Sequence, residues 1–124
     1  MLRLLWFACI AATCWFAFIP AEWGGLGGEG YHGLAFFVLG LLTPAAFPRL
    51  PVLVVWIVLI VLGGGIELAQ EYLFDTLRHG EWADFRVDAA AAAAGVLSAL
   101  LVRQLAKRYH GKAEAEPLDA GSEA

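Results

Sequence analysis

The sequence predicts an all-α membrane protein in which four transmembrane helices form an up-down-up-down bundle, with both termini in the cytoplasm. Of the 124 residues, 60% are hydrophobic and only 16% are charged, and the mean hydropathy is +0.69. A soluble domain is about half apolar and about a quarter charged, so lipid is the better solvent for this chain. Its length allows one small domain.

Four stretches are each suited to cross a hydrocarbon core of about 30 Å, which takes about 20 helical residues. They are Leu4–Ile19, His32–Leu50, Val52–Tyr72 and Phe85–Gln104. The predicted four-helix domain therefore covers residues 1–110. The segment 111–124 is polar and acidic with no aromatic residue after position 110, which predicts a disordered tail.

The first stretch shares with secretory signals a positive residue, Arg3, before an apolar run. The sequence FIPAEW that follows offers no Ala-x-Ala cleavage site, so we expect the stretch to be retained as a helix. Its two cysteines, Cys9 and Cys14, are five residues apart. That spacing is about 140° of helical rotation, which argues against a disulfide between them.

Basic residues predict the orientation, because Lys and Arg are enriched on the cytoplasmic side of transmembrane helices. With the N-terminus inside, six basic residues fall on the cytoplasmic side: Arg3, Arg49, Arg103, Lys107, Arg108 and Lys112. Only Arg78 and Arg86 then lie outside. The opposite orientation would reverse this ratio.

This topology gathers ionisable residues from separate helices at the outer face. His32 opens the second span, Glu67 lies near the end of the third, and Asp84 and Asp88 open the fourth. A charged side chain at the bilayer centre costs at least ~2.5–3.5 kcal/mol, and less near the edge. These side chains should therefore face the bundle and find partners there.

Helical spacing predicts which neighbours share the inner faces. Gln70 and Glu71 follow Glu67 at i+3 and i+4, so all three should lie on one face. The face of Asp84 and Asp88 continues through small residues, which favour close helix contacts, with bulky residues on the opposite side. The small residues are Ala91, Gly95 and Ala99, and the bulky ones are Leu97 and Leu101. Glycines 63–65 should allow a second backbone to approach closely.

An ordered set of polar positions gives the chain a resemblance to a known family. YHGLAFFVLGLL (31–42) is followed by IELAQ (66–70), and then by Arg78, Asp84 and Asp88 before a small-residue helix. Over about residues 29–103 this order resembles the VanZ-like family of small bacterial integral membrane proteins. The resemblance implies a multi-pass protein of the bacterial cytoplasmic (inner) membrane. It also implies that the family's polar positions are His32, Glu67, Gln70, Arg78, Asp84 and Asp88.

The chain departs from the family pattern at several positions. Phe36 stands where tyrosine is common, and Ala91 stands where glycine is common. Gly28 and Glu29 replace the Asp-Lys pair that often precedes the histidine. These changes bear on the hydrogen bonding within the site.

A binding or modulating function is the first hypothesis for the polar site at the outer face. The family is named for a member associated with resistance to teicoplanin, a lipid-tailed glycopeptide that acts outside the membrane. We expect the six polar positions to engage a cell-envelope lipid or an amphipathic compound, with a link to glycopeptide tolerance. Membrane lipids are expected partners, small-residue stripes allow a homodimer, and nothing in the sequence supports nucleic-acid binding.

Two other functions stay open. In an enzyme, His32, Glu67 and Asp84 are candidates for acid–base catalysis. Alternatively, they would join Asp88 in holding a divalent metal that hydrolyses a lipid-linked phosphate. In a structural or assembly subunit, the same side chains would form a polar clasp, with His32 and Arg78 bridging Glu67 and Asp84. The sequence contains no established metal or cofactor motif.

Overall fold

The computed structural model describes residues 1–18, 28–72 and 82–114, and every regular element within them is an α-helix. In chain order these are α1 (Leu2–Phe18), α2 (Gly28–Ala46), α3 (Val52–Tyr72) and α4 (Trp82–Glu114). Helix α3 and most of α4 are long and apolar enough to cross a membrane, whereas α1 and α2 are shorter apolar helices. The all-helical prediction is therefore confirmed for the described residues.

Helix α3 begins and ends where the sequence predicts, but α2 ends at Ala46 rather than Leu50. Proline causes this early end. Pro44 lies inside the last turn and has no N–H to donate to the preceding turn. Pro48 disfavours the helical conformation at the residue before it. The backbone then turns through residues 47–50 before α3 starts.

Helix α4 is longer than predicted at both ends. It starts at Trp82 instead of Phe85 and continues to Glu114 instead of Gln104. Residues 111–114 are thus helical, although they belong to the predicted disordered tail, and the remainder of that tail lies outside the described residues. Every residue from 101 to 112 is exposed, so this extension depends on intrinsic preference, and Ala, Lys, Arg, Leu and Gln are good helix formers.

Helices α1 and α2 run antiparallel, with contacts at both ends. Near the start of α1, the indole nitrogen of Trp6 donates to the hydroxyl of Thr43 near the end of α2, at 2.8 Å. At the opposite end, the rings of Phe16 and Tyr31 stack with centroids 6.1 Å apart. Within α1 the two cysteines are free, as their spacing predicts.

The closest helix crossing lies between α2 and α4, which run in the same direction, and two glycines make it possible. A Cβ on Gly40 would collide with the carbonyl oxygen of Ala92, and a Cβ on Gly95 would collide with the carbonyl oxygen of Phe37. The backbones themselves are therefore in contact. The sequence placed Gly95 on the inner, small-residue face, and this is confirmed.

The expected backbone approach at glycines 63–65 is wrong. The nearest atoms to a Cβ on Gly63 belong to the side chains of Asp88 and Phe36, and those near Gly64 belong to the ring of Phe85. Among the described residues, no atom outside the adjoining backbone of α3 lies within 4 Å of a Cβ on Gly65. This run makes room for side chains rather than for a second backbone.

Polar and apolar residues are distributed in an unusual way over the bundle. The buried core contains Phe36, Leu39, Val55 and Leu59, but the buried residues also include several polar ones. These are Thr13, His32, Thr43, Glu67, Gln70 and Asp88. Large apolar side chains are instead exposed along all four helices. An apolar surface of this extent is unusual for a water-soluble monomer and favours a lipid environment.

Candidate functional site

Three ionisable side chains from three helices meet inside one end of the bundle. His32 lies near the start of α2, Glu67 near the end of α3 and Asp88 in the second turn of α4. The Nδ1 atom of His32 is 3.2 Å from Oδ2 of Asp88 and 3.8 Å from Oε1 of Glu67. We call these three residues the His–Glu–Asp cluster. Its expected convergence from separate helices is found.

Glycine positions determine the geometry of the cluster. The α2–α4 crossing at Gly40 and Gly95 holds the two helix backbones together about two turns from His32 and Asp88. Gly63 lies one turn before Glu67 on α3, and a Cβ there would be 3.3 Å from Oδ2 of Asp88. The absence of a side chain at position 63 therefore leaves the space in which the Asp88 carboxylate lies.

The cluster is almost completely buried. The exposed fraction is 5% for His32, 9% for Glu67 and 2% for Asp88. Oδ2 of Asp88 is within hydrogen-bond distance of His32, whereas Oδ1 of Asp88 is buried and has no hydrogen-bond partner among the described residues. Since buried charge is costly unless it is paired, the arrangement favours a further positive charge or proton beside the Asp88 carboxylate.

Asp84 does not belong to this group, contrary to the set of four that the sequence suggested. Among the described residues, His32, Glu67 and Asp88 form the one group of at least three potential metal ligands whose ligand atoms all lie within 4.8 Å of one another. Asp84 lies one turn earlier, in the first turn of α4, where the helix dipole favours a negative charge. It is partly buried, and its Oδ1 has no hydrogen-bond partner among the described residues.

Gln70 is buried as predicted, but its amide joins two helices. Its Nε2 donates to the backbone carbonyl of Ala17 near the end of α1, at 2.6 Å. Glu71 and Glu67 line the same groove between α3 and α4, so they share a face, but Glu71 is exposed whereas Glu67 is buried. Arg78, and with it the proposed bridge in the polar clasp, lies outside the described residues.

Two largely apolar grooves border the cluster, and each includes one of its residues. The first, of about 320 Å³, lies between α1 and α2, and His32 is part of its wall. The other polar side chains that line it are Thr13 and Tyr31, and the rest are apolar or cysteine. The second groove, of about 400 Å³, lies between α3 and α4, and its lining includes Glu67 and Trp82.

Sequence reasoning missed the residues that shape these surroundings. Phe36 is fully buried, and its ring lies beside position 63 of α3. Its signal in the sequence is only that it departs from the pattern of the VanZ-like proteins that the chain resembles. Thr13 and Ala17, the two buried residues of α1, carry a weaker signal, which is their four-residue spacing on one helix face.

Comparison with known proteins does not identify the chain. No protein-family model, no curated protein and no solved structure matches it. The function therefore has to be inferred from the residues and from the geometry.

Proposed function

We propose that the chain is a VanZ-like, multi-pass integral membrane protein of the bacterial cytoplasmic (inner) membrane. All four helices cross the bilayer up-down-up-down, and both termini are cytoplasmic. The 21 residues of α3 extend over about 31 Å, which matches the roughly 30 Å hydrocarbon core. The exposed apolar side chains of all four helices support this proposal, because they would face acyl chains.

The length of α4 supports the proposed orientation. Its 33 residues form a helix of about 50 Å, which exceeds the hydrocarbon thickness by about 20 Å. The extra length at the C-terminal end is exposed and carries four basic residues: Arg103, Lys107, Arg108 and Lys112. Positive charge at this end supports a cytoplasmic location for it, and the His–Glu–Asp cluster would then lie near the outer face.

The site binds a cell-envelope lipid or another amphipathic compound. One observation supports this most strongly: His32 belongs both to the buried polar cluster and to the wall of the apolar α1–α2 groove. A ligand with a polar head and a hydrocarbon tail would satisfy both surfaces at once. Binding sites of this kind combine an apolar wall with a few placed polar groups.

Filling the groove tests this function. Ala35 lines the groove, so Ala35→Phe should occlude it while leaving the polar cluster intact. Ala90 is exposed on α4, and Ala90→Phe is a matched control that adds the same ring away from the groove. The probe is a bacterial total-lipid extract carrying a trace of a lipid with a photoactivatable acyl chain.

The measurement is cross-linking of that lipid to protein in nanodiscs, with the modified peptide located by mass spectrometry. We expect wild-type protein and Ala90→Phe to be labelled on α1 or α2 beside the groove, and Ala35→Phe to lose at least about 90% of that labelling, as expected for a tenfold or greater loss of affinity. Equal labelling of all three proteins, or labelling spread evenly over exposed helix faces, would contradict a specific lipid site.

The cluster also favours a second candidate, an enzyme that acts on a lipid-linked phosphate. A histidine beside two buried carboxylates is suited to proton transfer, and Glu67→Gln would then abolish turnover while binding persists. If Glu67→Gln instead unfolds the protein while the folded fraction binds lipid normally, the cluster is a structural clasp. A link to teicoplanin tolerance, and a homodimer formed through small-residue faces, remain proposals that depend on the family resemblance and the sequence.

A further inference from the structure

We infer that the His–Glu–Asp cluster binds a divalent first-row transition-metal ion, with Zn²⁺ as the representative. The inference goes beyond lipid binding and does not depend on it. It concerns His32, Glu67 and Asp88, whose potential ligand atoms all lie within 4.8 Å of one another. A simple hydrogen bond between His32 and Asp88 would not need the carboxylate of Glu67 beside it.

The distances fit a metal. Two ligand atoms bound to Zn²⁺ at about 2.1 Å with a tetrahedral angle are separated by about 3.4 Å. From Nδ1 of His32, the carboxylate oxygens of Asp88 and Glu67 lie at 3.2 Å and 3.8 Å, on either side of that value. Shifts of a few tenths of an ångström would therefore bring these two distances to the tetrahedral value, and the third pair of ligand atoms, on Asp88 and Glu67, lies within 4.8 Å and would close by up to about 1.4 Å around one ion.

The unsatisfied oxygen of Asp88 is an independent sign of a missing ligand. The Asp88 residue is 2% exposed, and its Oδ1 has no hydrogen-bond partner among the described residues. In native proteins the large majority of buried polar atoms have a partner, so such an atom calls for an ion or water. A metal bound by both oxygens of this carboxylate would satisfy Oδ1 while using Oδ2 as a ligand.

Charge leads to the same inference. With both carboxylates ionised and the imidazole neutral, the three side chains would carry a charge of −2, which a divalent cation would offset. Because buried charge is strongly unfavourable unless it is paired or coordinates a metal, neutralisation by one ion is favourable at this depth. Coordination of one ion would also explain why a histidine and two acidic residues from three helices converge where solvent is scarce.

The donor types indicate the class of metal. Imidazole nitrogen suits Zn²⁺ and its first-row neighbours, whereas Mg²⁺ and Ca²⁺ prefer sites made entirely of oxygen ligands. Three protein ligands with one open position are typical of catalytic rather than structural zinc sites. Water, or an oxygen of a bound head group, would take the fourth position.

Cobalt binding tests the inference, because Co²⁺ substitutes for Zn²⁺ and its visible spectrum reports coordination by the protein. The other two histidines of the chain, His79 and His110, are replaced by asparagine in every protein, so that they do not compete. Protein is purified in detergent without a chelator or a histidine tag. Metal content is measured by elemental analysis, and affinity by titration with Co²⁺ and Zn²⁺ alone.

We expect one ion per chain and absorption bands typical of four- or five-coordinate Co²⁺. Asp88→Asn and Glu67→Gln should each weaken binding by more than about 100-fold, because even losing a group that only supports a ligand costs 10–100-fold. The control Glu71→Gln removes an exposed carboxylate one turn further along α3. The control Asp84→Asn removes one outside the cluster. Glu71→Gln should bind Co²⁺ within about threefold of the parent, since Glu71 is not a ligand, and Asp84→Asn should lose less affinity than either cluster variant.

The absence of saturable binding in the parent protein would overturn the inference, as would equal losses in Glu71→Gln and Asp88→Asn. If a cluster variant does not fold, the parent decides the question. Zn²⁺ should raise its unfolding temperature in proportion to the logarithm of the free ion concentration above the Kd, and no shift would overturn the site. Lipid cross-linking is measured separately, so failure of metal binding leaves the lipid proposal standing, and the reverse also holds.

Discussion

Replacing Gly95 by alanine should destabilise the protein by forcing α2 and α4 apart. The new Cβ would collide with the carbonyl oxygen of Phe37 and would lie 2.9 Å from the backbone nitrogen of Leu41. These are backbone atoms, so they move only if the helix moves. Overpacking of this kind costs about 1–3 kcal/mol, while alanine regains about 1 kcal/mol of helix propensity over glycine. With the upper end of the steric cost, the net loss is about 2 kcal/mol.

Gly65→Ala is the matched control, because a Cβ at that position meets no other helix in the part of the chain that the structure describes. There only the helix propensity changes, so the variant should be more stable than the parent by up to about 1 kcal/mol. Stability is measured by unfolding in mixed detergent and denaturing-detergent micelles, followed by far-ultraviolet circular dichroism. If Gly95→Ala matches or exceeds the stability of Gly65→Ala, the close α2–α4 crossing is refuted.

Two further substitutions test the contacts of α1 by the same unfolding measurement. Gln70→Met removes the donor to the carbonyl of Ala17 and should cost about 1–3 kcal/mol, since it leaves a buried acceptor unsatisfied; an unchanged midpoint would contradict that role. Trp6→Phe removes the hydrogen bond to Thr43 and should cost about 1 kcal/mol. Trp56→Phe is its control, because the hydrogen bond from the Trp56 indole to the carbonyl oxygen of Ala89 is exposed and long, at 3.4 Å. This variant should change stability by less than about 0.5 kcal/mol. Equal losses in the two tryptophan variants would refute the distinction.

The helices could be predicted from the sequence because each is an apolar run bounded by proline, glycine or charge. Helix α3 shows this best, since its predicted bounds, Val52 and Tyr72, are also the observed ones. The ends of α2 and α4 were harder to predict from the sequence. In α2 the prolines end the helix before the apolar residues run out. In α4 the helix continues into polar sequence, where apolar periodicity carries no information.

The burial of His32, Glu67 and Asp88 could be predicted because ionisable groups in an apolar helix must face the interior. Which of the two aspartates joins the histidine could not. Asp84 and Asp88 share a helix face, and the choice between them depends on how far α4 slides along α2. The crossing of Gly40 with α4 sets this register, and it is a tertiary contact that spacing within one helix does not contain.

The contact that the Gln70 amide makes could not be predicted from the sequence either. Its position one turn after Glu67 placed it on an inner face, and it is buried there. Whether its amide would join the cluster or a neighbouring helix depends on the position of α1. Helix α1 brings the carbonyl of Ala17 within 2.6 Å, so the amide serves helix packing.

The contact between His32 and Asp88 is measured most directly by a double-mutant cycle with His32→Phe and Asp88→Leu, which approximate the shapes but remove the polar atoms. At 3.2 Å the two side chains interact, and removing one leaves the other buried without its partner. Each single variant should lose free energy of unfolding relative to the parent. The sum of these two losses should exceed the loss in the double variant by a coupling of about 1–3 kcal/mol. Additivity within about 0.5 kcal/mol would show that these two residues do not meet, and would contradict a shared site.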